Sequence, residues 1–122
     1  MSWPQMFNAT ATLVRPAWQA DRYGDQIPDW SAAERRELSG LCIQPSAQVL
    51  VANEQIGSDG RDVRMTHWRV YTAPGTDADV LATDRIEWQG LTFEVVGEVA
   101  RWPNPLGGGV HHIEFTIERV QG

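Results

Sequence analysis

The chain contains no lysine. All ten of its cationic side chains are arginine, set against sixteen carboxylates for a formal net charge of −6. No basic run occurs anywhere, which argues against a protein that grips nucleic acid by its phosphates. A protein past which DNA travels without sticking is not excluded. Lysine codons are AT-rich, so their absence reads as the mark of a GC-rich genome and not as a function. The single cysteine, Cys42, excludes an internal disulfide framework and suggests a reducing compartment. No stretch approaches the ~20 consecutive apolar residues of a membrane-spanning helix. The opening MSWPQMFNATATLV lacks a basic start followed by an apolar run, so no signal peptide is expected. Without secretion the glycosylation spacing Asn8-Ala9-Thr10 carries no weight. A length of 122 residues fits one domain with a core that needs no staples.

What is present is a succession of short alternating segments. NATATLV, residues 8–14, alternates and is β-branched, which predicts a first strand. RPAWQADRYGDQIPDW, residues 15–30, is rich in Pro, Gly and Asp and reads as loop, with turn signals at Tyr23-Gly24-Asp25 and Pro28-Asp29. Ser31 and Glu34 have capping-box spacing, so SAAERREL is given one helical turn at 31–35. A strand follows at about 37–44. Residues 46–63 hold at most a weak strand at Val49 to Ala52 within a long polar, glycine-punctuated loop; loops of that length in a compact domain are commonly functional.

From Arg64 the alternation sharpens. In RMTHWRVYT, Thr66, Trp68 and Val70 share one face, and Met65, His67, Arg69 and Tyr71 the other. Pro74-Gly75 ends it. In DRIEWQGLTFEVVGEV, Ile86 and Trp88 point one way, Gln89-Gly90 forms a two-residue turn, and Leu91, Phe93, Val95 and Val99 share a face. After WPNPLGGG, a last strand turns Ile113, Phe115 and Ile117 inward. About six strands with short turns close into a small barrel or sandwich, because an open sheet would expose its edges.

Chemistry-bearing residues are few. His111, His112 and Glu114 invite a metal reading, but on a strand only His112 and Glu114 share a face, so further ligands would have to come from elsewhere. The better account is a solvated strand face. Asp77 and Asp79 hold half of a calcium-loop spacing and read as turn residues. Gly107 to Gly109 lack the following helix of a phosphate cradle, and Cys42 reads as a small apolar residue and not a nucleophile. No catalytic residues, metal or cofactor are assigned, and the chain is expected not to be an enzyme. Six tryptophans are many. Trp68 and Trp88 have core faces, whereas Trp3, Trp18, Trp30 and Trp102 lie in loop-like segments. Since aromatics dominate interfaces, Trp18, Trp30 and Trp102, with Pro103 and Pro105, are the expected subunit or neighbour interface.

An ordered set of elements carries a resemblance. Gly40 to Pro45 gives a G-C-x-x-Q-P-like element, with Leu41 inserted before Cys42. A long loop follows, then V-Y-x-x-P-G at Val70 to Gly75, D-R-I-x-W-x-G-x-x-F-x-V-x-G at Asp84 to Gly97, a W-x-x-P stretch and an H-x-x-x-F strand. Over residues 8–120 the chain resembles the head–tail joining family of long-tailed phages, the head-closure or stopper proteins. DRYGD, residues 21–25, is similar to versions from phages of high-GC Gram-positive hosts.

The resemblance implies a small β-barrel with a long inserted loop, assembled as a homo-oligomeric ring of twelve subunits. That ring belongs in the virion neck, after synthesis in the host bacterial cytoplasm. A portal-side adaptor lies above it and a tail terminator or completion protein below; no membrane is involved. The loop carried over as the channel plug is 46–63, with its tip at Glu54, Gln55, Ile56, Gly57, Ser58, Asp59, Gly60 and Arg61. Glu54, Asp59 and Asp62 against Arg61 leave a net charge of −2 per loop, so a ring of loops would repel passing phosphates without sequence-specific binding. Two alternatives stand. One is a tail-completion or other connector protein; adaptors of that kind tend to be helical, which the strand pattern disfavours. The other is a small ligand-binding β-barrel or enzyme using His67, His111 or His112.

Overall fold

The computed structural model describes residues 6–46 and 67–120 of the chain. It is all-β. Six strands, β1 (Ala9–Ala20), β2 (Gln26–Pro45), β3 (His67–Thr72), β4 (Arg85–Trp88), β5 (Leu91–Pro103) and β6 (Val110–Arg119), form a closed barrel in the order β1-β2-β3-β6-β5-β4. Every neighbouring pair is antiparallel, and β4 against β1 closes the ring. The barrel-like class expected from the alternation is the class found.

The first half of the chain departs from expectation. Residues 15–30 are not loop, Pro28-Asp29 is not a turn, and 31–35 is not helical. β1 runs on to Ala20, and β2 starts at Gln26 and continues unbroken through 31–35. Only the turn near Tyr23-Gly24-Asp25 is where it was placed, closed by Asp21 accepting the backbone N–H groups of Tyr23 and Asp25. The helix-like signal at Ser31 has a physical origin. Between the pairs Arg15↔Glu34 and Ala17↔Asp29, β2 carries more residues than β1, so the strand bulges outward. Asp29 accepts the Ser31 N–H at 3.1 Å and the Ser31 hydroxyl at 2.6 Å. These bonds satisfy the bulge locally, as a cap satisfies a helix start. The Ser31 hydroxyl, with the backbone N–H groups of Ser31 and Ala32 and the Gln19 amide, holds the Asp29 carboxyl below its ordinary value of 3.8.

The second half follows the alternation. Ile113, Phe115 and Ile117 are fully buried, with Val70, Ile86 and Phe93 beside them. Burying a side chain of this size contributes roughly 2–3 kcal/mol. Val99, Trp68 and Trp88 pack on the cluster's margin; the two indoles meet edge-on, ring centroids 5.2 Å apart. Leu91, expected inward, is 37% exposed at the rim. Trp88↔Leu91 brackets the two-residue turn. There Gln89 and Gly90 have φ of 52° and 76°, the signs a type I′ hairpin requires. The expected strand 64–72 is found as His67–Thr72. Its first three residues, the weak strand at 49–52 and the channel loop from Glu54 to Arg61 lie outside the described residues.

Register divides the barrel into two ends. Pro45↔Trp68, His67↔Glu118, Trp88↔Leu91 and Phe93↔Arg119 lie at the near end. The connection from β2 to β3 leaves there, its flanks tied by Ser46 N–H to His67 C=O at 3.0 Å. At the far end β4 stops at Arg85, while its neighbours run on. β1 and β2 continue as a two-stranded arm, β5 and β6 as a second.

Candidate functional site

The far end is built around the connection from β3 to β4, residues 73–84. It crosses the barrel mouth and inserts Val80 (0% exposed) and Ala78 into the core. Three strands send an arginine to it. Arg36 of β2 donates to the Ala78 carbonyl at 2.7 Å, Arg101 of β5 to the Val80 carbonyl at 2.8 Å, and Arg15 of β1 to the Asp79 carbonyl at 2.7 Å. Arg15 also makes a two-pronged pair with the buried Asp84 carboxylate, Nε–Oδ1 3.0 Å and Nη2–Oδ2 2.9 Å. The hydrogen bond to Asp84 holds the Arg15 guanidinium above its ordinary pKa. Asp84 accepts the Leu81 N–H at 2.8 Å as well. A chain without lysine thus uses the planar fork of arginine where a point charge would not reach carbonyl and carboxylate together.

On the outer face of the β1–β2 arm, Trp18 lies opposite Pro28, and Trp30 carries the Arg85 guanidinium 4.0 Å above its ring. These side chains and residues 82–85, Glu94 and Val95 line a cleft of about 280 Å3. Trp18 remains 48% exposed. On the β5–β6 arm, Trp102 is 49% exposed and stacks on His112, interplanar angle 12°. Beyond it, Asn104 shapes the tip by accepting the Leu106 N–H on its side chain at 3.0 Å. Pro103 and Pro105 are exposed. The five expected interface residues therefore fall on two separate arms at one end of the barrel, and none contributes to the buried core cluster.

The histidines form a different feature. His112 Nε2 lies 2.8 Å from Glu114 Oε2, its Nδ1 lies 2.8 Å from His111 Nδ1, and Arg69 holds the other Glu114 oxygen at 3.2 Å. His67 pairs instead with Glu118 at 3.3 Å, away from this chain of contacts. His111, His112 and Glu114 flank a cleft of about 330 Å3 that also touches Phe7, Cys42 and Tyr71. Among the described residues no three His, Cys, Asp or Glu side chains are arranged to hold a metal ion.

Sequence reasoning missed Arg15, Arg36, Arg101 and Asp84 as a set. No local pattern joins positions up to 86 apart; the one available clue was that an all-arginine chain must spend arginines on internal contacts.

No family model and no curated protein sequence matches this chain. Among solved structures, the solution structure of protein SF1141 from Shigella flexneri 2a is similar, with TM-score 0.57 and 14% identity over 98% of this chain and 96% of that one. At that identity the likeness is one of fold, and it extends over the barrel from end to end.

Proposed function

We propose that this chain is a structural neck protein of a long-tailed phage. In this reading it is a ring-forming head-to-tail stopper that closes the DNA-filled head below the portal and adaptor and docks the tail. The observation that carries the reading is the division of labour between the ends of the barrel. β2 ends and β3 begins at the near end, where residues 46–66 join them in sequence, while two tryptophan-bearing arms extend from the other. A joiner needs both, a surface for neighbours and a segment free to enter a channel. The motifs behind the resemblance support it by position. Gly40 to Pro45 closes β2, Val70 to Gly75 spans the end of β3 and its turn, and Asp84 to Gly97 forms the β4–β5 hairpin. With a net charge of −2 on each copy of the loop, the channel lining would be anionic and non-adhesive to DNA. Electron microscopy of particles made without this gene tests the reading. Packed or leaking heads beside complete, unattached tails are expected; normally joined virions would refute it.

The cleft of about 330 Å3 beside His112 and Glu114 favours a second reading, a small ligand-binding barrel, since its size is within the range of ligand sites. A thermal-shift screen with divalent metals and common cofactors separates the two. The neck reading expects no shift.

A further inference from the structure

We propose that the cleft of about 330 Å3 beside His112 and Glu114 binds a small flat ligand through an N–H or O–H that the ligand donates to His111 Nε2. The proposal rests on the second reading above and gives its site a chemical preference.

Strand register builds the polar wall of the cleft. Cys42↔Tyr71 and Tyr71↔Glu114 place three side chains in one row across β2, β3 and β6, and Gln44↔Arg69 and Arg69↔Thr116 form the next row. Leu41, Val70 and Phe115, which alternate with them, are buried in the core, so both rows face outward. An outward strand face is ordinarily wet. Here Cys42 and Thr116 are buried, and the Glu114 side chain is only 19% exposed.

The hydrogen bonds along this wall leave one consistent set of proton positions. Arginine only donates, so Arg69 gives Nη1–H to the Thr116 hydroxyl at 2.8 Å and Nη2–H to Glu114 Oε1 at 3.2 Å. A carboxylate only accepts, so His112 Nε2, 2.8 Å from Glu114 Oε2, carries a proton. A neutral His112 then has its lone pair on Nδ1, and His111 Nδ1, 2.8 Å away, donates to it. The relay therefore ends in a lone pair on His111 Nε2, which has no hydrogen bond among the described residues.

His111 lines the cleft, and Met6, Phe7 and Pro74 supply apolar walls. The other polar groups do not set the preference. Both Glu114 oxygens are engaged, and the Gln44 amide N–H is turned to Cys42 Sγ at 3.4 Å. The Tyr71 hydroxyl can donate or accept, so it selects neither kind of ligand. A fused aromatic ring bearing an N–H fits this arrangement. The same ring with an acceptor in that place would set lone pair against lone pair.

Indole and benzofuran test this, being close in shape and opposite in hydrogen bonding. They are titrated into the full chain at pH 8, above the ordinary titration range of imidazole. Indole is expected to bind about tenfold more tightly, the worth of one hydrogen bond. Nitrogen NMR of the free protein should show the proton on Nδ1 of His111 and on Nε2 of His112; the opposite tautomers overturn the proposal. Glu114→Gln is the decisive variant. Because Arg69 only donates, the glutamine carbonyl must take its side and the amide N–H must face His112 Nε2. Both tautomers then invert, His111 Nε2 becomes a donor, and the advantage of indole should vanish or reverse. Should that variant unfold, His111→Phe removes the acceptor and should bring the two affinities together. An indole preference that survives these changes overturns the proposal. Equal affinities in the unaltered chain also overturn it, but leave the ligand-binding reading standing. Binding of neither probe overturns it as well, and the second reading falls with it if the metal and cofactor screen is also silent.

Discussion

The Arg15–Asp84 pair makes an asymmetric prediction. Replacing Arg15 by methionine leaves the Asp84 carboxylate at 0% side-chain exposure with the Leu81 N–H, 2.8 Å away, as its remaining hydrogen bond. Replacing Asp84 by asparagine leaves Arg15 better off. Its side chain is 30% exposed, and it keeps the Asp79 carbonyl at 2.7 Å and the Asp79 carboxylate at 3.6 Å. The two halves of one ion pair should therefore cost different amounts. Stranding a fully buried charge sets the loss for Arg15→Met at about 4 kcal/mol. Weakening charge-assisted bonds to a partly solvated guanidinium sets the loss for Asp84→Asn at about 2 kcal/mol. The double variant Arg15→Met/Asp84→Leu removes both charges and should recover a good part of the larger loss. Equilibrium unfolding in urea reads these differences. With a slope of about 2 kcal/mol/M, typical of small domains, the midpoint should fall by roughly 2 M for Arg15→Met and roughly 1 M for Asp84→Asn. Equal losses, or an Arg15→Met loss below about 1 kcal/mol, would place the pair among exposed salt bridges. They would refute the claim that it anchors the 73–84 connection.

Three further outcomes are expected. Gln89 occupies a left-handed position of a type I′ turn, so Gln89→Asn should raise stability by up to about 1 kcal/mol, while Gly90→Val should lower it by about 1–2 kcal/mol, both read as unfolding midpoints. The Asp29 carboxyl titrates below its ordinary value of 3.8 in the folded chain. The unfolded chain therefore binds more protons at low pH, and this contribution, present above about pH 4, fades as pH falls through the lowered value. Asp29→Asn should flatten that acid limb of the stability curve; an unchanged limb would contradict the bonding at the bulge. If residues 47–66 form a free loop, as the neck reading requires, replacing them by a short turn should leave the barrel folded and about 1 kcal/mol more stable, since two halvings of loop length each save about 0.6 kcal/mol. If the loop gates the channel, particles carrying that variant should leak DNA.

How much of this was legible in the sequence depended on whether a strand has one wet face. The inward face of β6 was legible because Ile113, Phe115 and Ile117 alternate with Glu114, Thr116 and Glu118, although Thr116, read as outward, is buried and accepts a hydrogen bond from Arg69 at 2.8 Å. The β4–β5 hairpin was read because Gln89-Gly90 is a local turn signal between two such patterns. The first arm was misread for the opposite reason. Past Val14, β1 leaves β4 and pairs with β2 alone, so Trp18 to Ala20 and Gln26 to Pro28 are exposed and no alternation can appear. Pro28 and the Asp29–Ser31 bonds then imitate a turn and a helix cap. The candidate interface residues were named one by one from their exposed-loop context. Their grouping on two arms followed only from register, which a single sequence does not display. The long loop expected at 46–63 lies, apart from Ser46, outside the described residues.

The mouth clamped by Arg15, Arg36 and Arg101 has a mechanical consequence. Each arm of the far end is pinned at its root to the same few carbonyls of one segment, and Val80 of that segment sits in the core. Pulling either arm out of place would have to lengthen hydrogen bonds to adjacent carbonyls of that one segment. The two arms thus share one foundation, and the 78–80 carbonyls are where a change in either arm would meet the other.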